Sequence, residues 1–264
     1  MKWTAPKIRA LKGVQKIAAL TAYDALTAAL LDEAEIPLAL VGDSLGMTVL
    51  GYETTLPVRM DEMLHHTAAV ARGLQNALIV ADMPFMSYQA SMESGLQNAG
   101  RFIKEAGADA VKIEGGTLRA PLIEALVANG IPVLGHIGLT PQSIKEMGGY
   151  KVQGKNAEQA RQLMDDAMAI EQAGAFALIL ECVPSELGAM LSSALSIPVI
   201  GIGAGNGCDG QVLVLTDLLG MGSAAPPRFV KQYANLRPLM QQALAAYKTE
   251  VESGEFPASE HQYQ

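Results

Sequence analysis

The chain has 264 residues, half of them hydrophobic and only 17% charged, with a formal net charge of −8. That balance allows a sizeable core and excludes a largely disordered chain, while the acidic excess speaks against a nucleic-acid surface, which needs a basic stripe to replace condensed counterions. No apolar run approaches the roughly 20 residues of a spanning helix, and the stretch Met1 to Pro6 has no apolar core ahead of Lys7 and Arg9, so neither a membrane span nor a secretory signal is expected.

In chain order, short β-rich apolar runs recur near residues 17–22, 38–42, 77–81, 109–113, 132–136, 176–181, 198–202 and 212–216. Most gaps between them carry amphipathic spacing or are long enough for a helix. Eight such units predict a closed (β/α)8 barrel, an α/β fold that needs roughly 250 residues and would use nearly the whole chain as one domain over 1–264. The junctions repeat: Ile36-Pro37, Ile131-Pro132 and Ile197-Pro198 stand before strands, while Gly107 and Gly174 end helices. The runs are continuous instead of alternating, as expected for a parallel sheet covered on both faces. Long glycine-bearing loops, 44–57 and 138–154, are candidate lids. A helix over 229–251 closes the pattern, followed by a polar tail at 252–264.

Four of the apolar runs break off at a carboxylate: Asp43, Asp82, Glu114 and Glu181. In a barrel the active site lies at the C-terminal strand ends, so the four acids converge on one rim. Any one of them alone reads as a helix cap or loop anchor; the set points to a cation. Asp43, Asp82 and Glu114 offer hard oxygen ligands suited to Mg²⁺, and there is no His-x-x-x-His or Cys-x-x-Cys spacing for a softer metal. Lys112 and Glu114, two apart on one strand, share a face; a buried Lys needs an anion, either a neighbouring acid or a substrate carboxylate. Glu181 follows Ile179 on its own face, a desolvating neighbour that favours a general base. His136, at the end of its strand, reads as a donor to a substrate oxygen or as a structural residue. Two cysteines, Cys182 and Cys208, give no disulfide framework, so the cytoplasm is the expected compartment.

Two motifs compete for attention. Gly42-Asp43-Ser44-Leu45-Gly46 spells a nucleophile elbow, but the following Met47 to Tyr52 is β-branched and glycine-broken and is expected not to be helical, which an elbow requires. Gly201-Ile202-Gly203-Ala204-Gly205 reads as a phosphate cradle or as a tight turn, without the spacing of a dinucleotide site.

The segments Leu20 to Asp24, Val41 to Met47, Thr55 to Pro57, Ala81 to Met86, Val111 to Gly116, Gly135 to Ser143, Gly148 to Gly154, Leu180 to Pro184 and Gly201 to Gly205 together resemble one family, the ketopantoate (3-methyl-2-oxobutanoate) hydroxymethyltransferases of the pantothenate pathway. They span almost the whole chain in the family's order. The resemblance implies a (β/α)8 barrel of the phosphoenolpyruvate/pyruvate type, assembled as a homodecamer. It implies Mg²⁺ held by Asp43 and Asp82, with Glu114 contributing directly or through water. It further implies a keto acid contacted by Ser44, Lys112 and His136 as well as the two aspartates, Glu181 as proton acceptor, and 5,10-methylenetetrahydrofolate as co-substrate. Thr216, where many relatives carry His, and Asn206-Gly207-Cys208 depart from the pattern.

The reaction so implied moves a hydroxymethyl group from the folate onto 3-methyl-2-oxobutanoate, giving 2-dehydropantoate. Two alternatives share the acids. A Mg²⁺-dependent lyase or aldolase of the same barrel superfamily would be expected to carry a Lys-Lys-Cys-Gly-His loop, which is absent. A non-catalytic keto-acid sensor would be favoured by loss of Lys112 or Glu181, and both are present.

Overall fold

Continuous Val, Ile, Leu and Ala runs favour strands buried on both faces, and in the computed structural model of this chain they form eight. The structure describes residues 2–223 and 225–264; Met1, where the stretch weighed for a secretory signal begins, lies outside them. The strands are β1 (Ile17–Thr21), β2 (Leu38–Val41), β3 (Leu78–Asp82), β4 (Ala110–Glu114), β5 (Val133–Gly138), β6 (Ala177–Glu181), β7 (Val199–Ile202) and β8 (Gly210–Leu213). Each pairs in parallel with the next, and β8 pairs with β1 to close the barrel. The helices between them start where the sequence supplies caps: Asp24, Ser91 and Asn156 each accept a backbone N–H in the first turn of their helices. Among the described residues no helix is long and apolar enough to cross a membrane.

Side chains alternate along a strand, so one parity points into the barrel. Ile17 and Ala19, Leu38 and Leu40, Leu78 and Val80, Ala110, Leu134, Ile179, Ile200 and Val212 belong to one core cluster, which Ile8 of the short helix Ala5–Arg9 joins. Carried to the strand ends, the same parity reaches Asp82, Lys112, Glu114, His136 and Glu181. Register sets them beside one another: Asp82 pairs with Lys112, Glu114 with His136, and Gly138 with Glu181.

A second set of acids works at strand starts. Asp32 accepts from Asn76 and Ala77 N–H, Asp109 from Ile79 N–H, Glu171 from Ser196 and Ile197 N–H, and Asp209 from Val199 N–H. Asp209 also takes Lys12 Nζ at 2.6 Å and Ser192 Oγ at 2.7 Å. These carboxylates satisfy backbone donors that the barrel ladder leaves open.

The last strand differs from expectation. It runs Gly210–Leu213, not 212–216, because Gly210 brings the chain against β1: a Cβ there would stand 2.5 Å from Ile17 O. The chain forms two compact units, Met1–Val214 with the barrel and Leu215–Gln264. The second holds the helical turn Leu215–Leu218 and the helix Leu236–Ser253, which begins at Leu236 and not at 229. Pro238 explains the start: at the third helical position its missing N–H has no intrahelical partner to lose, whereas in a helix begun at 229 it would break a bond. Residues 254–264 are exposed.

Gly138, at the end of β5, has φ 92°, and a Cβ there would lie 2.2 Å from Glu181 O, the carbonyl that Leu139 N–H reaches at 2.8 Å. Gly138→Ala is expected to cost on the order of 2–5 kcal/mol, from left-handed strain plus a backbone clash. Urea denaturation checks this; a wild-type midpoint would show that β5 and β6 can separate freely.

Candidate active site

Lys112 stands at the centre of the rim, 4% exposed, and its neighbours define the site. Its Nζ lies 3.2 Å from Asp82 Oδ1, 3.4 Å from Glu114 Oε1 and 3.1 Å from His136 Nδ1. His136 continues the row: Nδ1 is 3.4 Å from Glu114 Oε1, and Nε2 is 3.2 Å from Glu181 Oε2, off the line of a good hydrogen bond. Inward parity on β3, β4, β5 and β6 thus lines up acid, base, imidazole and acid.

Asp43 joins by another route. Leu38 and Leu40 put even residues of β2 inward, so Asp43 has the wrong parity. It reaches the rim because the chain leaves the strand at Gly42, and its N–H donates to Asp82 Oδ2 at 3.0 Å. Ser44 follows at the start of the one-turn helix Leu45–Thr48, its Oγ 2.8 Å from Tyr23 Oη. The expectation that Met47 to Tyr52 is not helical therefore fails at Met47 and Thr48 and holds from Val49 to Tyr52. The nucleophile-elbow reading fails as well, since Ser44 sits in relaxed right-handed backbone, φ −52° and ψ −19°, and pairs with a tyrosine. Of the Gly201–Gly205 segment, Ile202 lines the cavity described below.

Burial sets the electrostatics, and charge pairing then divides the acids. Burial works against the Lys112 ammonium, but Asp82, Glu114 and Asp43 outweigh it and hold the group charged, above its ordinary range. Burial raises the Glu114 carboxyl, yet Lys112 and His136 outweigh it and bring the group down to about 2. Asp43 goes the other way, well above the usual carboxylate range, because burial is reinforced by Asp82 and Glu114. Asp82 is raised too, chiefly by burial, against the pull of Lys112. Burial and Lys112 oppose a charge on His136, but Glu114 and Glu181 prevail and raise it to about 9.

Two buried residues that sequence reasoning passed over complete the acid network. Gln142, in the turn after β5, donates through Nε2 to Asp43 Oδ2 at 3.0 Å, and its N–H donates to Glu114 Oε2 at 3.0 Å. Tyr88, in the loop after β3, donates to Gln142 Oε1 at 2.8 Å and accepts from Glu114 N–H at 3.1 Å. Gln142 lies within the matched block Gly135 to Ser143, but a neutral loop amide carries no spacing signal of its own.

Asp43, Ser44, Asp82, Lys112, Glu114, His136 and Glu181 border a cavity of about 170 Å³, to which Ile179, Ile202 and Val212 add apolar walls and Tyr150 a half-exposed edge. That is smaller than the roughly 300–1,000 Å³ of pockets for drug-sized ligands, so it suits a small acid.

A family profile described as ketopantoate hydroxymethyltransferase matches residues 2–259. The chain belongs to this family. A 3-methyl-2-oxobutanoate hydroxymethyltransferase of Syntrophus aciditrophicus is 55% identical, with 99% of this chain and 97% of that protein covered. One of Clostridium novyi is 57% identical over 94% of this chain and 90% of that protein. In fold, the chain is similar to phosphonopyruvate hydrolase, solved in complex with oxalate and Mg²⁺, with a TM-score of 0.62, 14% identity, and 98% and 93% of the two chains covered. The relatives' name makes this a family of transferases.

As a hydroxymethyltransferase-family site, the rim can be tested for a cation. Among the described residues no three His, Cys, Asp or Glu side chains form a ready-made metal cage. Glu114 has both oxygens engaged, Oε1 by Lys112 and His136 and Oε2 by Gln142 N–H. The pair left is Asp43 and Asp82. Asp82 Oδ1 is buried with the Lys112 ion pair at 3.2 Å but no well-aligned hydrogen bond, and burial, with Glu114 close by, holds both carboxyls above their usual range, a cost that a cation relieves. The donor set, two hard carboxylate oxygens beside a cavity for a chelating acid, fits an oxygen-seeking divalent ion.

Proposed function

We propose that this chain transfers a hydroxymethyl group from 5,10-methylenetetrahydrofolate to 3-methyl-2-oxobutanoate, releasing 2-dehydropantoate and tetrahydrofolate, and that it uses Mg²⁺ held by Asp43 and Asp82. The observation that carries this reading is the convergence of those aspartates, Lys112 and Glu181 on one small cavity in a chain of this family. The Mg²⁺-oxalate complex of phosphonopyruvate hydrolase, a protein of the same fold, supports a cation chelated by a small oxo acid.

When bound, Mg²⁺ supplies Lewis-acid withdrawal of electron density from the keto oxygen. The side chains do the rest. The Lys112 ammonium and Ser44 hydroxyl orient the substrate carboxylate, and His136, held protonated, donates to a substrate oxygen. Glu181, 16% exposed at the cavity wall, removes the proton from C3. The C3–H electron pair becomes the enolate, whose carbon forms a bond to the folate methylene as a C–N bond breaks. Water then replaces the second folate nitrogen on that carbon, its oxygen forming the C–O bond as the remaining C–N bond breaks, and the C3 proton and one proton of the water end on the two nitrogens, giving the hydroxymethyl group and tetrahydrofolate. The folate exceeds the cavity, so only its methylene end enters and the remainder lies at the mouth. Among relatives in this role a homodecamer is expected. The helix Leu236–Ser253 buries no residue and leaves Leu239 and Leu244 60% and 69% exposed, which accords with self-association in the cytoplasm.

The test follows C3–H exchange of 3-methyl-2-oxobutanoate in heavy water by proton NMR. Mg²⁺-dependent exchange, and product formation on adding methylenetetrahydrofolate, are expected. Exchange absent with Mg²⁺, together with no product, overturns the assignment. Keto-acid binding without exchange returns the sensor reading, and cleavage of a carbon–carbon bond without folate returns the lyase reading.

A further inference from the structure

We propose that Gln142 is a positioning residue that sets which carboxylate oxygens face the cation, with Tyr88 fixing its amide. The inference rests on the Mg²⁺ reading above and adds a residue to it. Gln142 is 5% exposed, and its amide is saturated. Nε2 donates to Asp43 Oδ2 at 3.0 Å and to Met83 O at 2.8 Å, while Oε1 accepts from Tyr88 Oη at 2.8 Å and Gln89 Nε2 at 3.0 Å. An amide has two donors and two good acceptor directions, so no valence remains for a ligand. The same count fixes its orientation, since a flipped amide would set its oxygen against Met83 O and the Asp43 carboxylate.

The consequence falls on the acids. With Oδ2 engaged, Asp43 keeps only Oδ1 for a cation, and no other hydrogen bond to its carboxylate occurs among the described residues. Gln142 N–H occupies Glu114 Oε2 in the same way, leaving Oε1 to Lys112 and His136. One residue of the loop after β5 therefore ties together the ends of β2, β3 and β4. Partners that orient a metal ligand from behind act on metal affinity without touching the metal.

The test is titration with Mg²⁺ alone, by calorimetry, of the full chain as wild type, Gln142→Met, Tyr88→Phe and the double variant. Met keeps the buried volume while removing every hydrogen bond of the side-chain amide. The Mg²⁺ Kd is expected to rise about 10- to 100-fold in Gln142→Met. Tyr88→Phe, which leaves Gln89 in place, raises it less, and adds nothing in the Gln142→Met background because the two act through one amide. A purely structural role lowers the urea midpoint of Gln142→Met and leaves its Kd at the wild-type value; that result overturns the proposal. So does a Tyr88→Phe effect of the same size in both backgrounds. If Gln142→Met fails to fold, Tyr88→Phe alone decides, and an unchanged Kd there overturns the proposal. Wild type that binds no Mg²⁺ overturns the cation reading itself, whereas wild type and Gln142→Met binding alike overturns only the role of Gln142.

Discussion

Glu181→Gln is expected to slow C3–H exchange of 3-methyl-2-oxobutanoate by about 10²- to 10⁴-fold, the usual contribution of a positioned base. Mg²⁺ affinity should stay at the wild-type value, because Asp43 and Asp82 are left intact. The neutral amide keeps the shape of Glu181, so β6, the 3.2 Å approach of His136 Nε2 and the cavity wall persist. Loss of exchange with unchanged Mg²⁺ binding therefore isolates the proton acceptor from the cation site. Exchange at the wild-type rate assigns the base to another group and removes Glu181 from the mechanism.

Lys112→Met combines a chemical with a structural loss. On the proposed mechanism the substrate carboxylate loses its cation, and Asp82, Glu114 and Asp43 lose the counter-charge that all three share. Removing one partner of a buried ion pair typically costs about 3–5 kcal/mol, since the remaining charge stays desolvated. The metal-free variant is expected to be destabilised by about that amount at neutral pH. Mg²⁺ should return part of it, since a ligand that binds only the folded state stabilises it. The deficit also has a predictable pH dependence. Without the ammonium, the already raised carboxyls of Asp43 and Asp82 go up further and that of Glu114 loses the main group that brings it down, and a raised acid favours folding only while it is protonated. Stability is thus lost as pH rises from the unfolded carboxylate range through the folded values, and the deficit shrinks at acid pH. Urea unfolding at several pH values, with and without Mg²⁺, measures both effects. A variant as stable as wild type and indifferent to Mg²⁺ shows that the acids do not rely on Lys112.

These two residues are legible in the sequence because their signals are local. Lys112 interrupts an apolar strand, and Glu181 ends one; a charge in such a place needs a reason within a few residues of sequence. Continuous apolar runs with Gly and Pro at their junctions carry the barrel in the same way. The one strand misplaced, β8, begins at Gly210, where a contact with Ile17 O decides the start. The helix start at Leu236 escapes the sequence pattern because the limit set by Pro238 competes with an amphipathic spacing that begins earlier.

The acids show the boundary most clearly. Asp109 and Asp209 stand beside apolar runs as Asp43 and Asp82 do, yet they tie backbone donors at strand starts, while Asp43 and Asp82 face the cavity. Which end of a strand an acid occupies can be read from the order of run and charge. What it meets there cannot, because Lys2 and Lys12 reach Asp109 and Asp209 from far along the chain.

By itself, the sequence determined the eight-unit parallel barrel, the rim on which the acids meet and the face that Lys112 shares with Glu114. All of these follow from the two-residue period of a strand, a property of neighbours. Only the tertiary structure decided that Asp43 enters the site against its parity, that Glu114 has both oxygens occupied, and that Gln142 and Tyr88 stand behind the acids. Those depend on hydrogen bonds closed between loops from different strands, which have direction and distance but no period along the chain.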